Sequence, residues 1–182
     1  MAAIVNVKNV VYATLTDETA GTYGTPKTIS PLMSVKVDTK TSNEILYGDG
    51  SPQETMTTVG ETTLEIGIND LPQDVHAALL GHTHDPVTGV MVEKETDEAP
   101  YVALGFELVK SNGSSVFFWY LKGKFEEPAV DAKQKEDKVS YSTPTLKGTF
   151  VNRADGIKRY KFDEDAGTTP VTNFLTSVYK PA

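Results

Sequence analysis

The chain has 182 residues, a formal net charge of −8 at pH 7 and no cysteine. The length fits one ordinary domain, and the lack of cysteine excludes disulfides, thiolate metal sites and cysteine nucleophiles. An acidic surface of this size repels phosphates, which argues against a protein that wraps or reads duplex DNA.

The amino terminus and the apolar runs predict no membrane insertion. "MAAIVNVKNVVYATL" (1–15) lacks the basic region and long apolar run of a signal peptide. The longest apolar run, "VFFWYL" (116–121), is far shorter than the ~20 residues needed to span a bilayer. We therefore expect no contact with a membrane.

Alternation of apolar and polar residues predicts strands in the first half of the chain. The clearest cases are "PLMSVKVD" and "TTLEIGIN", in which every second residue is apolar. The two predicted apolar faces are Met33, Val35 and Val37 in the first, and Leu64, Ile66 and Ile68 in the second.

The second half predicts a hairpin and two further strands. "YVALGFELV" and "VFFWYLKGKF" flank the turn signal "SNGSS", so residues 101–125 predict a β-hairpin. "VSYSTPTLKGTFV" (139–151) and "IKRYKF" (157–162) predict two more strands, joined by the turn "NRADG" (152–156).

Helix signals are few. "NDLPQDVHAALLG" (69–81) predicts a short helix, with Asp70 as a possible N-cap, Pro72 in the first turn and Gly81 just past the end. A second short helix could follow Thr172. These signals predict a mainly β domain with one or two short helices.

The histidines offer one candidate metal site. His82 and His84, two residues apart on an extended segment, would point to the same side, with Asp85 as a third ligand. A structural zinc is bound by four ligands, and the only other histidine, His76, lies inside the predicted helix. A solvated loop is the favoured interpretation, and we expect neither a metal nor a cofactor.

The Gly-rich stretch "GDGSPQET" (48–55) could be a catalytic loop, a metal loop, a phosphate cradle or the tip of an interaction arm. It lacks the G-x-x-x-x-G-K-[ST] spacing of a P-loop and the alternating acidic ligands of an EF-hand. No G-x-S-x-G elbow occurs, and the acidic run "EKETDEAP" (93–100) is typical of solvated charge. We therefore expect no enzymatic activity.

The chain has four consecutive aromatic residues, Phe117, Phe118, Trp119 and Tyr120, which could stack on the bases of a single strand. The net negative charge of the chain argues against such binding. Apolar residues on both sides of one strand favour burial of both faces, or burial of one face and a subunit contact on the other.

Five segments together carry a resemblance to a known family. They are "VNVKNVVYATLTDETAGTYGTPKTISPLMSVKVD", "NEILYGDGSP", "TLEIGINDLPQDVHAALLGHTHD", "APYVALGFELVKSNGSSVFFWYLKGKFEEP" and "KQKEDKVSYSTPTLKGTF". In order and spacing they resemble the major tail (tail tube) protein of long-tailed, non-contractile bacteriophages, of the staphylococcal-prophage type. The resemblance extends from about residue 5 to residue 179.

The resemblance implies a β-sandwich or small barrel flanked by a helix. It implies six copies in a ring, and rings stacked into a tube that conducts DNA out of the virion without binding it specifically. The expected partners are further copies of the chain and other tail proteins (tape measure, tail terminator, and baseplate or distal tail). Assembly is expected in the bacterial cytoplasm, and the virion tail is the final location.

The same resemblance implies how the single domain (1–182) is divided. It would have an N-terminal arm (1–15), a long interaction loop (41–61) and a C-terminal segment (165–182). The loop would contact the neighbouring ring, and its predicted contact residues are Tyr47, Gly48, Asp49, Gly50, Ser51 and Pro52.

The predicted strand after this loop has a polar face formed by Glu61, Thr63 and Glu65. If the apolar face packs on the core, the polar face looks to the lumen of a tube or to outside solvent. We expect the lumen, because acidic and small groups would let DNA pass without adhering. The alternative function is a monomeric β-sandwich module that binds carbohydrate or a cell-surface partner.

Overall fold

A computed structural model describes residues 2–29, 31–49, 51–129, 143–167 and 173–181. The strands are β1 (Ile4–Asp17), β2 (Thr22–Tyr23), β3 (Lys27–Thr28), β4 (Leu32–Gly48), β5 (Ser51–Ile68), β6 (Thr83–His84), β7 (Met91–Val92), β8 (Val102–Lys110), β9 (Ser115–Phe125), β10 (Thr145–Phe150) and β11 (Arg159–Asp163). Within these residues there is a single α-helix, α1 (Gln73–Leu80), and no helix long and apolar enough to cross a membrane.

Nine of the described strands form one antiparallel sheet. Its order is β2-β1-β8-β9-β10-β5-β4, with β3 beside β1 and β11 beside β9, while β6 and β7 form a separate pair. The predicted mainly β class and the predicted hairpin of residues 101–125 are confirmed.

The sheet curves around one main core. This core contains Val10 and Tyr12 from β1, near one end of the sheet, and is packed by Leu32 and Val35 from β4, at the other end. The start of β4 also lies close to β1, so the two ends of the sheet approach each other. Such closure buries apolar side chains from many strands in a small domain and gives it a barrel-like form.

The strand predicted from "TTLEIGIN" is confirmed with its faces. Leu64, Ile66 and Ile68 are all fully buried in the main core. The other predicted face, Met33, Val35 and Val37, is wrong in part. The register shifts between Leu32 and Ser34, and this bulge places Leu32 against the core and leaves Met33 largely exposed.

A second core covers the opposite face of β9. Trp119 and Leu121 are fully buried against Phe174 of the C-terminal segment, and the Trp119 Nε1–H donates to the Phe174 carbonyl at 2.8 Å. Tyr120 is buried in the main core, so β9 is buried on both faces. Of the two predicted alternatives, burial of both faces is therefore confirmed.

Residues 173–177 form a turn and residues 178–181 have no regular secondary structure, so the predicted second helix is wrong for the described residues. Asn173 has a positive φ of 61°, and the Thr176 N–H donates to its carbonyl at 3.0 Å, which closes a turn. Phe174, within this turn, packs on β9 in the second core. Residues 168–172 lie outside the described part.

Helix α1 is shorter than predicted at its start. Asp70 is not the N-cap, because α1 begins at Gln73 after Pro72, and the Asp70 side chain accepts the adjacent Leu71 N–H at 2.9 Å. A residue before proline avoids the helical region, so the helix cannot extend back past Leu71. Gly81 ends the helix in the left-handed conformation, with φ 82°, as predicted.

The predicted N-terminal arm (1–15) is corrected by the structure. Residues from Ile4 onward form strand β1, which pairs with β8 along most of its length. Val10, Tyr12 and Ala13 are buried, so this segment is part of the folded domain and does not project from it.

Candidate assembly surface

The segment predicted as a long loop (41–61) is a pair of strands. β4 and β5 remain paired from Leu32 and Ile68 at the base to Gly48 and Ser51 at the end. Their length, with turns only at the end, makes this a hairpin that extends beyond the core. The loop prediction is therefore wrong as secondary structure, and its proposed role in contacts between copies stays a prediction.

We call residues 41–59 the distal hairpin. Every side chain described in it is exposed, whereas Leu64 and Ile66, a few residues further along β5, are fully buried. The boundary between core and distal hairpin therefore falls close to Gly60.

Apolar side chains lie on both faces of the distal hairpin. The exposed members are Ile45, Leu46, Tyr47, Met56 and Val59. Adjacent residues of a strand point to opposite faces, so neither face is purely polar. Leu46 is 64% exposed and Met56 is 69% exposed. A group of exposed apolar side chains on one segment is typical of a surface that contacts another protein.

The distal part of β4 also has an open edge. In the described part of the chain β4 is the last strand of the sheet, and its register pairs involve β5 alone. An edge strand of this length presents backbone N–H and C=O groups that can pair with another strand. The distal hairpin thus offers exposed apolar side chains and a free strand edge together.

The predicted contact residues cluster at the end of this hairpin. Tyr47 is opposite Pro52, Gly48 is opposite Ser51, and Asp49 adopts a positive φ of 48° in the turn. Gly50 lies outside the described residues. Tyr47 is 65% exposed and is the one large apolar group at the tip among the described side chains.

Glu61, Thr63 and Glu65 lie on the face opposite the main core and are partly exposed. This face is not the acidic surface that was expected. The Lys36 Nζ contacts the Glu65 carboxylate at 3.3 Å, and Lys40 pairs with Glu61. The hydrogen bond from Lys40 lowers the pKa of Glu61 below its usual value.

Further lysines extend this mixed face across the sheet. Lys147 of β10 is opposite Glu65, and Lys124 of β9 is opposite Thr149. Lys124 pairs in turn with Glu98 at 2.7 Å. Cross-strand pairing therefore offsets most of the negative charge, and sequence reasoning missed the lysines because they come from other strands.

The three residues considered as a candidate metal set, His82, His84 and Asp85, do not form one group of ligands in the described residues. Asp85 instead accepts hydrogen bonds from the Val87 N–H at 2.9 Å and the Thr88 hydroxyl at 2.7 Å, which order its own turn. The Thr88 bond, as the largest cause, lowers the pKa of Asp85. His82 takes its partners from other segments.

A histidine–carboxylate cluster forms around His82. Its members are His76, His82, Glu93, Asp97 and Glu127. The His82 Nδ1 lies 2.9 Å from Asp97 Oδ2, its Nε2 lies 3.4 Å from Glu127 Oε2, and His76 Nε2 lies 3.0 Å from Glu127 Oε1. The bond to Asp97 raises the pKa of His82 and lowers the pKa of Asp97.

Comparison with known families finds a match. A family model described as phage tail tube protein matches residues 38–173, about three quarters of the chain. The matched region contains the distal hairpin, the polar face and the histidine–carboxylate cluster. A comparison with curated proteins finds no match.

Proposed function

The chain belongs to the phage tail tube protein family, and from that premise we propose that six copies form a ring and that rings stack into the tail tube through their distal hairpins. As a family member it is a structural component of the virion tail and not an enzyme. What we propose beyond family membership is the six-membered ring, the contacts between stacked rings and the residues that line the lumen.

The observation that carries this proposal is the distal hairpin. A two-stranded ribbon on its own is marginally stable in water, and this one exposes apolar side chains on both faces. Burial by a neighbouring copy would remove Leu46, Tyr47 and Met56 from water. Each fully buried side chain of this size contributes about 1.5–3 kcal/mol to association, before the cost of ordering is subtracted.

The free edge of β4 supplies the direction of association. Addition of a strand from a second copy would extend the sheet from one subunit to the next. Repeated around a ring, this pairing would produce a continuous inner wall formed by β4 and β5. The tip residues Tyr47–Pro52 would then reach the adjacent ring, and the polar face of Glu61, Thr63 and Glu65 would line the lumen.

Tube ends require other proteins, so we propose that tape measure, terminator and baseplate or distal tail proteins contact the first and last rings. Assembly would take place in the bacterial cytoplasm before the tail joins the virion. DNA would pass along the paired charges of the lumen without specific binding.

The alternative, a monomeric module for carbohydrate or surface binding, has less support. It depends on exposed aromatic side chains, but Trp119 and Tyr120 are fully buried and Phe117 packs against the C-terminal segment. The exposed apolar groups of the distal hairpin are mainly aliphatic, with Tyr47 as the one aromatic member, which suits a protein contact more than a sugar platform.

The proposal is tested with the double substitution Leu46→Lys and Met56→Lys. Both side chains are exposed in the isolated subunit, so the melting temperature should not change, whereas ring and tube formation should be lost because two charges would be buried at each contact. Negative-stain microscopy over a concentration series and analytical ultracentrifugation measure assembly.

Val87→Lys is the matched control, because Val87 is 91% exposed but lies away from the hairpin, between β6 and β7. This variant should assemble as the parent does. Tubes formed equally well by the hairpin variant would contradict the proposal, and rings without sixfold symmetry would contradict the hexamer.

A further inference from the structure

The histidine–carboxylate cluster joins three separate parts of the chain. His82 follows α1, Glu93 follows β7, and Glu127 follows β9. One ligand atom from each of these three residues lies within 4.8 Å of the others. This convergence brings a nitrogen and two carboxylate oxygens close together.

Both ring nitrogens of His82 face carboxylates. Nδ1 lies 2.9 Å from Asp97 Oδ2, and Nε2 lies 3.4 Å from Glu127 Oε2. A neutral imidazole has one N–H donor and one lone pair. If Asp97 holds the proton on Nδ1, the Nε2 lone pair points toward an anionic oxygen, which is unfavourable unless a second proton or a metal ion lies between Nε2 and that oxygen.

We propose that this cluster is a divalent metal site, suited to zinc, with His82 Nε2, Glu127 Oε2 and a Glu93 oxygen as its ligands. Ligand atoms about 2.0–2.2 Å from a tetrahedral zinc lie about 3.3–3.5 Å from one another. The 3.4 Å separation of His82 Nε2 and Glu127 Oε2 matches this spacing and is longer than a charge-assisted N–H···O bond, for which about 2.7–2.9 Å is usual.

Two further residues orient these ligands. Asp97, itself held by the Lys94 N–H at 2.9 Å, accepts from His82 Nδ1, so that Nε2 faces the site. His76 Nε2 contacts the second oxygen of Glu127 at 3.0 Å and fixes that carboxylate. Partners of this kind set the tautomer and direction of metal ligands. The fourth position remains for water.

The ligand types select among metals. An imidazole nitrogen with two carboxylates suits zinc and neighbouring transition metals, whereas magnesium and calcium prefer oxygen ligands alone. The bound ion would connect α1, the segment after β7 and the segment after β9. In a chain without cysteine, it would serve as the cross-link that a disulfide cannot supply.

The test is zinc titration of the full chain, with any affinity tag removed, by isothermal calorimetry and by melting temperature near neutral pH. We expect one saturable site and a higher melting temperature with zinc, and no change with magnesium. His82→Gln and Glu93→Gln should each weaken zinc binding by about tenfold or more. The control is His84→Gln, a nearby histidine outside the cluster, and it should bind zinc as the parent does.

Cobalt(II) absorption of the unmodified protein gives a measurement that needs no variant. Visible bands of a four- or five-coordinate ion, displaced by zinc, are expected. Absence of saturable zinc binding, or equal loss in His84→Gln and His82→Gln, would overturn the site and leave His82 as a proton-mediated ion pair. Since tube assembly is not measured, neither result bears on the proposed tail function.

Discussion

At the scale of single residues, a polar network around Lys110 joins the β8–β9 turn to the end of β11. The Lys110 ammonium contacts Asp163 at 2.5 Å and Asp165 at 2.8 Å. Asn112 and Ser114 also donate to Asp165, at 3.1 and 2.8 Å. Asp165 is thus held as an anion by three donors, with Lys110 as the largest cause of its lowered pKa, which is about 2.

This network predicts a pH dependence of stability. A carboxyl with a lowered pKa in the folded state contributes stability that is fully present above its unfolded value of 3.8, and loses it as the pH falls toward 2. Asp165→Asn should therefore unfold at lower denaturant concentration than the parent near neutral pH. The difference should shrink between about pH 4 and pH 2.

Urea unfolding at several pH values measures this effect. Glu95→Gln is the control, because it removes one negative charge at an exposed position outside the network. A difference between parent and Asp165→Asn that persists unchanged at pH 2 would show that the substitution acts through something other than ionisation.

At the scale of elements, the hairpin register defines how the distal hairpin can be shortened without disturbing the rest. Ile45 is opposite Thr55, and Glu44 is opposite Met56. Replacing residues 45–55 by Asn-Gly would reconnect the strands at an existing pair through a two-residue turn. Because every deleted side chain that the structure describes is exposed, the melting temperature should change little, whereas tube formation should be lost.

Circular dichroism measures the folding and melting temperature of this shortened protein, and electron microscopy measures its tube formation. Loss of folding would mean that the distal hairpin belongs to the domain's stability, and intact tubes would mean that it is not the assembly contact. Because folding and tube formation are measured separately, a defect in folding can be distinguished from a defect in assembly.

The elements that could be predicted from sequence are those with one buried face. Leu64, Ile66 and Ile68 alternate because every second side chain enters the core, and burial imposes that period on the sequence. The distal hairpin has no buried face among its described side chains, so its sequence does not alternate between apolar and polar residues. Gly48 and Pro52 therefore favoured the prediction of a loop. The one remaining signal was its β-branched content, in "TMTTVGETT".

The candidate sites were less predictable because they depend on register and tertiary contact. The pairing of Lys36 with Glu65 follows from strand register and from a bulge near Met33 that no local pattern indicates. His82 meets Asp97 and Glu127 from 15 and 45 residues away, so nearby sequence suggested only His84 and Asp85.

At the scale of the whole molecule, the paired charges bear on the proposed lumen. If the face with Glu61 and Glu65 lines the tube, Glu61→Gln with Glu65→Gln would leave Lys36 and Lys40 without their partners. Exposed ammonium groups attract phosphates, so DNA ejection from virions should slow, most strongly at low salt, where screening is weak.

Lys36→Gln with Lys40→Gln is the matched variant of opposite sign, and ejection should not slow with it. Ejection rates measured by dye release at several salt concentrations compare the two. Equal rates for both variants and the parent at low salt would place this face on the outside of the tube.

The arrangement around β9 also provides an optical signal. Trp119 is the only tryptophan in the chain, is fully buried, and donates its indole N–H to Phe174 of the C-terminal segment. Its fluorescence should therefore shift to the red when that segment detaches or the domain unfolds, because water would then reach the ring. The distal hairpin contains no tryptophan, so polymerisation through it would leave the emission unchanged and folding could be followed inside an assembled tube.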